Sequence, residues 1–128
     1  MRVLCYLIAF LFISSCLSES ERKSRNSIRI KYKAEEVRIH FSKEEINNAE
    51  RKVAEIIIIN SALLSQSSFA FEDGIEIAAD FYSAMKEKNS LFGIRVIISN
   101  PSINSHFSGF AKSYFYEKNL LNGFKFKD

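Results

Sequence analysis

Cysteine, glycine, proline and histidine are scarce in this sequence, and tryptophan is absent. Its two cysteines cannot supply a disulfide framework, because Cys5 lies inside an apolar N-terminal run that reads as removable and leaves Cys16 alone. Its four glycines form neither a phosphate-cradling loop nor a GxSxG elbow. The two histidines, His40 and His106, have no Cys or His partner at metal-ligand spacing. His106, flanked by Ser105 and Ser108, is not a triad member, since neighbours on one helical turn do not produce triad geometry. There is no internal repeat and no nucleic-acid signature. The expectation is therefore a protein that is not an enzyme and carries no metal or cofactor. Charge of neither sign dominates: the formal balance is +3, which by itself predicts no polyanionic partner. The longest apolar run, Val3 to Ile13, has eleven residues, whereas a bilayer-spanning helix needs about 20.

What is present begins at the N-terminus. Met1 and Arg2 give a short positive start, the apolar run follows, and Ser14-Ser15 places small residues before Cys16. That is the layout of a signal peptide over residues 1–15. Cys16 then becomes the first residue of the mature chain. Ile13-Ser14-Ser15-Cys16 resembles the lipobox of bacterial lipoproteins, with Ile and Ser standing where Leu and Gly or Ala are commoner. The resemblance implies a diacylglyceryl group on the Cys16 sulfur and a third chain on its amine. Each buried methylene contributes about 0.8 kcal/mol, and one chain alone holds marginally, so several chains on Cys16 give durable attachment.

The rest of the composition, rich in Ile, Lys, Asn, Phe and Ser with the single proline Pro101, suits an AT-rich bacterial genome. Together with the leader it resembles the small plasmid-encoded surface lipoproteins of Borrelia spirochaetes, the orf-D group among them. The resemblance covers the leader and the style of the chain, and it carries no functional residue beyond Cys16. It implies an outer-membrane or cell-surface location and a host or vector partner. Two other readings stay open: a periplasm-facing lipoprotein that supports or inhibits another envelope protein, and a non-acylated secreted effector.

Removing the leader leaves one domain, with Cys16 and a polar stretch to residue 27 read as an anchored tether and 28–128 as the globular part. Glu19 to His40 carries seven Lys or Arg against four Glu, while Phe69 to Ser90 carries two Lys against five acids. "IRIKYKAEEVRIHF" alternates like a hairpin over 28–41 with Ala34-Glu35-Glu36 as its turn, yet Ile30, Ala34, Val37 and Phe41 also share a helical stripe. Both readings stay open. Ser42 with Glu45 forms a capping box, and Phe41 with Ile46 a hydrophobic staple, which predicts a helix running through Ile56–Ile59 toward Leu64. A second helix is expected from Asp73, with Ala78, Phe81, Tyr82 and Met85 as its apolar stripe. "LFGIRVIIS" reads as a buried strand or a third helix. A last helix is expected from Ser105, through Phe107, Phe110, Ala111, Tyr114 and Leu121, to a stop at Asn122-Gly123.

The fold expected from these elements is mainly α, a small bundle of three to four helices; the alternative is α+β with an N-terminal hairpin at 28–41. Cys16 is the candidate lipidation residue. Arg29, Lys31 and Lys33 are candidate contacts to an anionic ligand if they share one strand face, and Tyr116 and Phe124 are the aromatics most suited to an exposed patch. The expected partners are a membrane through the lipid anchor and a host protein or glycosaminoglycan. Nucleic acid is not expected, and the sequence leaves the oligomeric state open.

Overall fold

The computed structural model describes residues 17–100 and 110–124. Cys16, the leader and the expected helix start at Ser105 lie outside them. The first element is a helix, α1 (Glu19–Lys31), and it begins where a tether was expected. Ser18 caps it: its Oγ accepts from the Glu21 amide at 3.2 Å, and its own amide donates to Glu21 Oε1 at 2.9 Å. The helix ends as a Schellman motif, in which the Ala34 amide donates to Arg29 O, the Lys33 amide donates to Ile30 O, and Lys33 takes the left-handed conformation at φ 50°. Leu17, Ile28, Tyr32 and Ala34 are buried.

The chain then forms β1 (Glu36–Ile46) and β2 (Ala49–Ile59), paired antiparallel from Glu36↔Ile59 to Ile46↔Ala49. Only Asn47 and Asn48 lie between them, with φ of 54° and 63°. Positive φ at both positions is what a two-residue type I′ turn requires, and Asn adopts it at low cost. After a connection comes α2 (Phe71–Ala84), whose Asp73 carboxylate accepts from the Ala70 amide at 2.9 Å. Next, β3 (Leu91–Asn100) runs parallel to β2, β4 (Phe110–Glu117) runs antiparallel to β3, and a short α3 (Lys118–Asn122) stops at Gly123. The sheet order is β1-β2-β3-β4.

The protein is thus α+β with a four-stranded mixed sheet, and the expected helical bundle is not formed. Residues 42–59 account for most of the difference. Ser42 and Glu45, the capping-box pair, sit inside β1, and the four isoleucines 56–59 are the end of β2. A strand with neighbours on both sides needs apolar residues on both faces, and β-branched side chains fit a pleated surface. A run that is apolar all round therefore describes an inner strand as well as it describes a core helix. The alternative hairpin at 28–41 is also displaced: residues 28–31 close α1, and the hairpin spans 36–59. The second helix forms near its expected place but starts at Phe71, two residues before Asp73, which lies in its first turn and not at its N-cap, and Leu91–Ser99 takes its strand reading. Residues 110–117 of the expected last helix form β4, although its stop at Asn122-Gly123 is used by α3.

Both long helices cover one face of the sheet, α1 over β1 and α2 over β3 and β4. Val37, Ala54, Ile56, Ile58, Ile94, Val96 and Ile98 point into this layer, with Phe81 and Ile77 opposite from α2. Tyr116 of β4 has no exposed surface, and its hydroxyl donates to Phe71 O at 2.7 Å. Burial pushes its phenol well above the usual tyrosine range, reinforced by Tyr114, Asp73 and Glu72 nearby. Gly74 makes this possible: a Cβ there would meet the Tyr116 hydroxyl first and then ring carbons at 2.9 and 3.1 Å.

Gly74→Ala should therefore destabilise the domain by about 1–3 kcal/mol through overpacking, even though Ala gains about 1 kcal/mol in a helix. In a Tyr116→Phe background, which removes the first atom met, the same change should cost less. Urea unfolding followed by circular dichroism measures the cycle; equal costs in both backgrounds would place the strain elsewhere.

Candidate binding site on the open face of the sheet

Strand alternation turns the other half of the side chains away from the helices. The pairing registers align them in lateral rows. One row reads His40, Glu55, Arg95 and Phe115 across all four strands, and the next reads Arg38, Ile57, Ile97 and Ser113. Among the described residues no helix or loop covers this face. Ile57, Ile59, Ile97 and Phe115 are accordingly only half-buried, although Val53 on the same face is fully buried.

Arg95 organises the face. Its Nη1 donates to Glu44 Oε2 at 2.9 Å and to Glu55 Oε2 at 3.3 Å. The hydrogen bond to Glu44 raises the guanidinium pKa; burial opposes it, and the charges of Glu44 and Glu55 add to the rise. Its Cζ lies 5.4 Å from the centre of the Phe115 ring. Phe115 stacks with Phe92, centroids 6.0 Å apart and planes 25° from parallel, and Arg51 lies 5.3 Å over Phe92. The result is a ladder of Arg51, Phe92, Phe115 and Arg95 ending on two carboxylates. At the pairing irregularity beside Phe92, Gly93 is required for space, since a Cβ there would come within 2.6 Å of both the Phe115 ring and Tyr116 O.

Such a face can bind by shape and contact. Two rigid aromatics and two arginines on a sheet are the residue types that anchor interfaces, and of the five N–H donors of Arg95 only those on Nη1 have a protein acceptor among the described residues. No group of three or more His, Cys, Asp or Glu among the described residues could hold a metal ion.

The sequence-expected residues fall elsewhere. Arg29 and Lys31 are on α1 and Lys33 is in the turn after it, so they do not share a strand face. Lys31 is engaged, its Nζ 2.7 Å from Glu76 Oε1, and this hydrogen bond raises its pKa. Tyr116 is a core residue and cannot contact a ligand. Phe124 is half-buried against the core. Arg95, Glu44, Glu55, Phe92 and Phe115 were not expected. Their signal was a lone acid at Glu55 and a lone base at Arg95, each inside an otherwise apolar strand run.

Arg95→Gln would leave Glu44 and Glu55 facing each other without their cation. At neutral pH we expect a loss of about 1–3 kcal/mol, because both carboxylates are more than half buried. Urea unfolding of both proteins at pH 7 tests this; an undiminished stability would show that the two carboxylates do not depend on Arg95. Comparison of the chain with protein-family models, with curated proteins and with solved structures found no match in any of the three.

Proposed function

We propose that this chain is a lipid-anchored bacterial envelope protein, attached through Cys16, whose domain binds a partner protein through the open face of its sheet. The observation that carries the binding role is the row of Ile57 and Ile97 beside the ladder of Arg51, Phe92, Phe115 and Arg95. An apolar centre with aromatic and arginine neighbours is the anatomy of a protein interface. Glu44 and Glu55 beside Arg95 disfavour a sulfated glycosaminoglycan here, since fixed carboxylates repel a polyanion. The anchoring role rests on the leader and on Ile13-Ser14-Ser15-Cys16. Likeness to borrelial surface lipoproteins supports a host or vector protein as the partner and an outward-facing location.

Two experiments test the two halves. Metabolic fatty-acid labelling should mark the membrane-fraction band of the wild type and leave Cys16→Ser unlabelled; label in neither chain would remove the anchor. Ile57→Thr combined with Ile97→Thr should lower capture by immobilised matrix and complement proteins about tenfold or more, about 1.4 kcal/mol, in a chain that still folds. Undiminished capture by the folded variant would rule out this face.

A further inference from the structure

The anchoring proposed above has a geometric consequence, because no flexible tether separates Cys16 from the folded domain. Leu17 is 8% exposed and belongs to the core, and Ser18 caps α1. The Cα atoms of Cys16 and Leu17 are one peptide apart, about 3.8 Å. Acyl chains on Cys16 would therefore hold the start of α1 at the lipid headgroups.

The outer flank of α1 is basic and has no partner among the described residues. Arg22, Arg25 and Arg29 recur three and four residues apart, which places them along one flank of α1, and Lys33 follows in the terminating turn. Their side chains make no hydrogen bond or ion pair with any described residue. From Arg22 to Ala34 the chain contains no acid, and Glu19 before it is taken up by Lys23 at 3.5 Å. Arg25 and Leu17 also line the same groove of about 370 Å³, which reaches Arg38 and His40 on the sheet edge. Ile30 is 66% exposed on the same helix, an apolar side chain without a cover.

We infer that α1 is the membrane-facing surface of the domain, with Arg22, Arg25, Arg29 and Lys33 contacting anionic phospholipid headgroups. This rests on acylation of Cys16. Basic residues held at a bilayer surface are attracted to anionic lipid, and the attraction dies away within a Debye length, about 8 Å at physiological salt. The stripe thus needs the anchor to bring it into range and then fixes orientation. Exposed Ile30 favours a lipid surface over a soluble sulfated glycan, since an interfacial helix places apolar residues beside its cations.

The test uses the full chain, purified in anchored form, with Asn26→Cys, an exposed position on α1. Acylation of Cys16 leaves this as the single free thiol of the mature protein, and it takes a nitroxide label. Vesicles are phosphatidylcholine, with or without one-third phosphatidylglycerol, and carry a trace of nickel-chelating headgroup. Collisional relaxation of the label by nickel should be several-fold stronger on anionic vesicles at low salt. It should fall to the neutral-vesicle value in about 0.5 M salt and in the folded Arg22→Gln/Arg25→Gln/Arg29→Gln/Lys33→Gln chain. Equal relaxation on both vesicle types overturns the inference, as does loss of the anionic preference to stoichiometric heparin, which assigns the stripe to a glycan. A chain that floats with neither vesicle overturns the anchor. Because the stripe reaches the bilayer only through the anchor, that outcome overturns this inference with it.

Discussion

Parallel pairing of β2 with β3 sets the arrangement of everything else. Antiparallel neighbours can be joined by two residues, as Asn47 and Asn48 join β1 to β2, but a parallel pair obliges the chain to return the full length of the sheet. Here α2 makes the return and lies against β3 and β4, while α1 fills the same side over β1. Both layers of helix are therefore used on one face, and every outward-alternating residue of the strands is left on the other. The same crossover brings the start of α2 over β4, where Tyr116 can fit only because residue 74 has no side chain.

Legibility of the fold in the sequence follows from whether an element's evidence is local. The second helix is marked by Asp73 and by a stripe from Ala78 to Met85, all within a few turns, and it forms close to where these signs place it. Helix α1 is obscured because its buried side contains Glu21 and Ser24 between Leu17 and Ile28, which breaks the apolar period. Those two residues are not errors in the pattern: Glu21 completes the cap, and Ser24 donates to Asp80 Oδ2 at 3.1 Å on α2. The β1–β2 hairpin was hidden for the opposite reason. Local signs at Ser42 and Glu45 favoured a helix, whereas the registers that make Ile56–Ile59 an inner strand connect it to residues as distant as Ser99. Arg95 and Glu55 form a pair only once β3 is known to lie beside β2, so the centre of the candidate site was invisible until topology was known.

The charges divide according to those same layers. On the open face Arg95 is shared by two carboxylates and backed by Phe115, so its charge is largely spent within the protein. What this face offers a partner is shape, apolar area and the remaining guanidinium donors. On the outer flank of α1 the cations have no ion-pair partner among the described residues, so what they offer is long-range attraction and little shape. A protein partner is suited to the first kind of surface and a charged sheet of headgroups to the second.

An anchor close to a rigid domain constrains more than distance. Each extended residue between lipid and fold would add about 3.3–3.6 Å of reach and two soft dihedrals; with Leu17 already in the core, the proposed anchor leaves few bonds about which the domain can turn. Few orientations are then accessible, and a modest electrostatic preference is enough to select among them, whereas the same preference on a long tether would be diluted by the freedom of the chain. Helix α1 packs over β1 on the covered side of the sheet, and its Arg25 lines a groove that reaches Arg38 and His40 at the sheet edge, so the orientation selected by its basic flank would set how the open face is presented. The shortness of the connection is therefore what would link the two proposed roles: the residue that holds the protein to the membrane also decides which surface a partner meets.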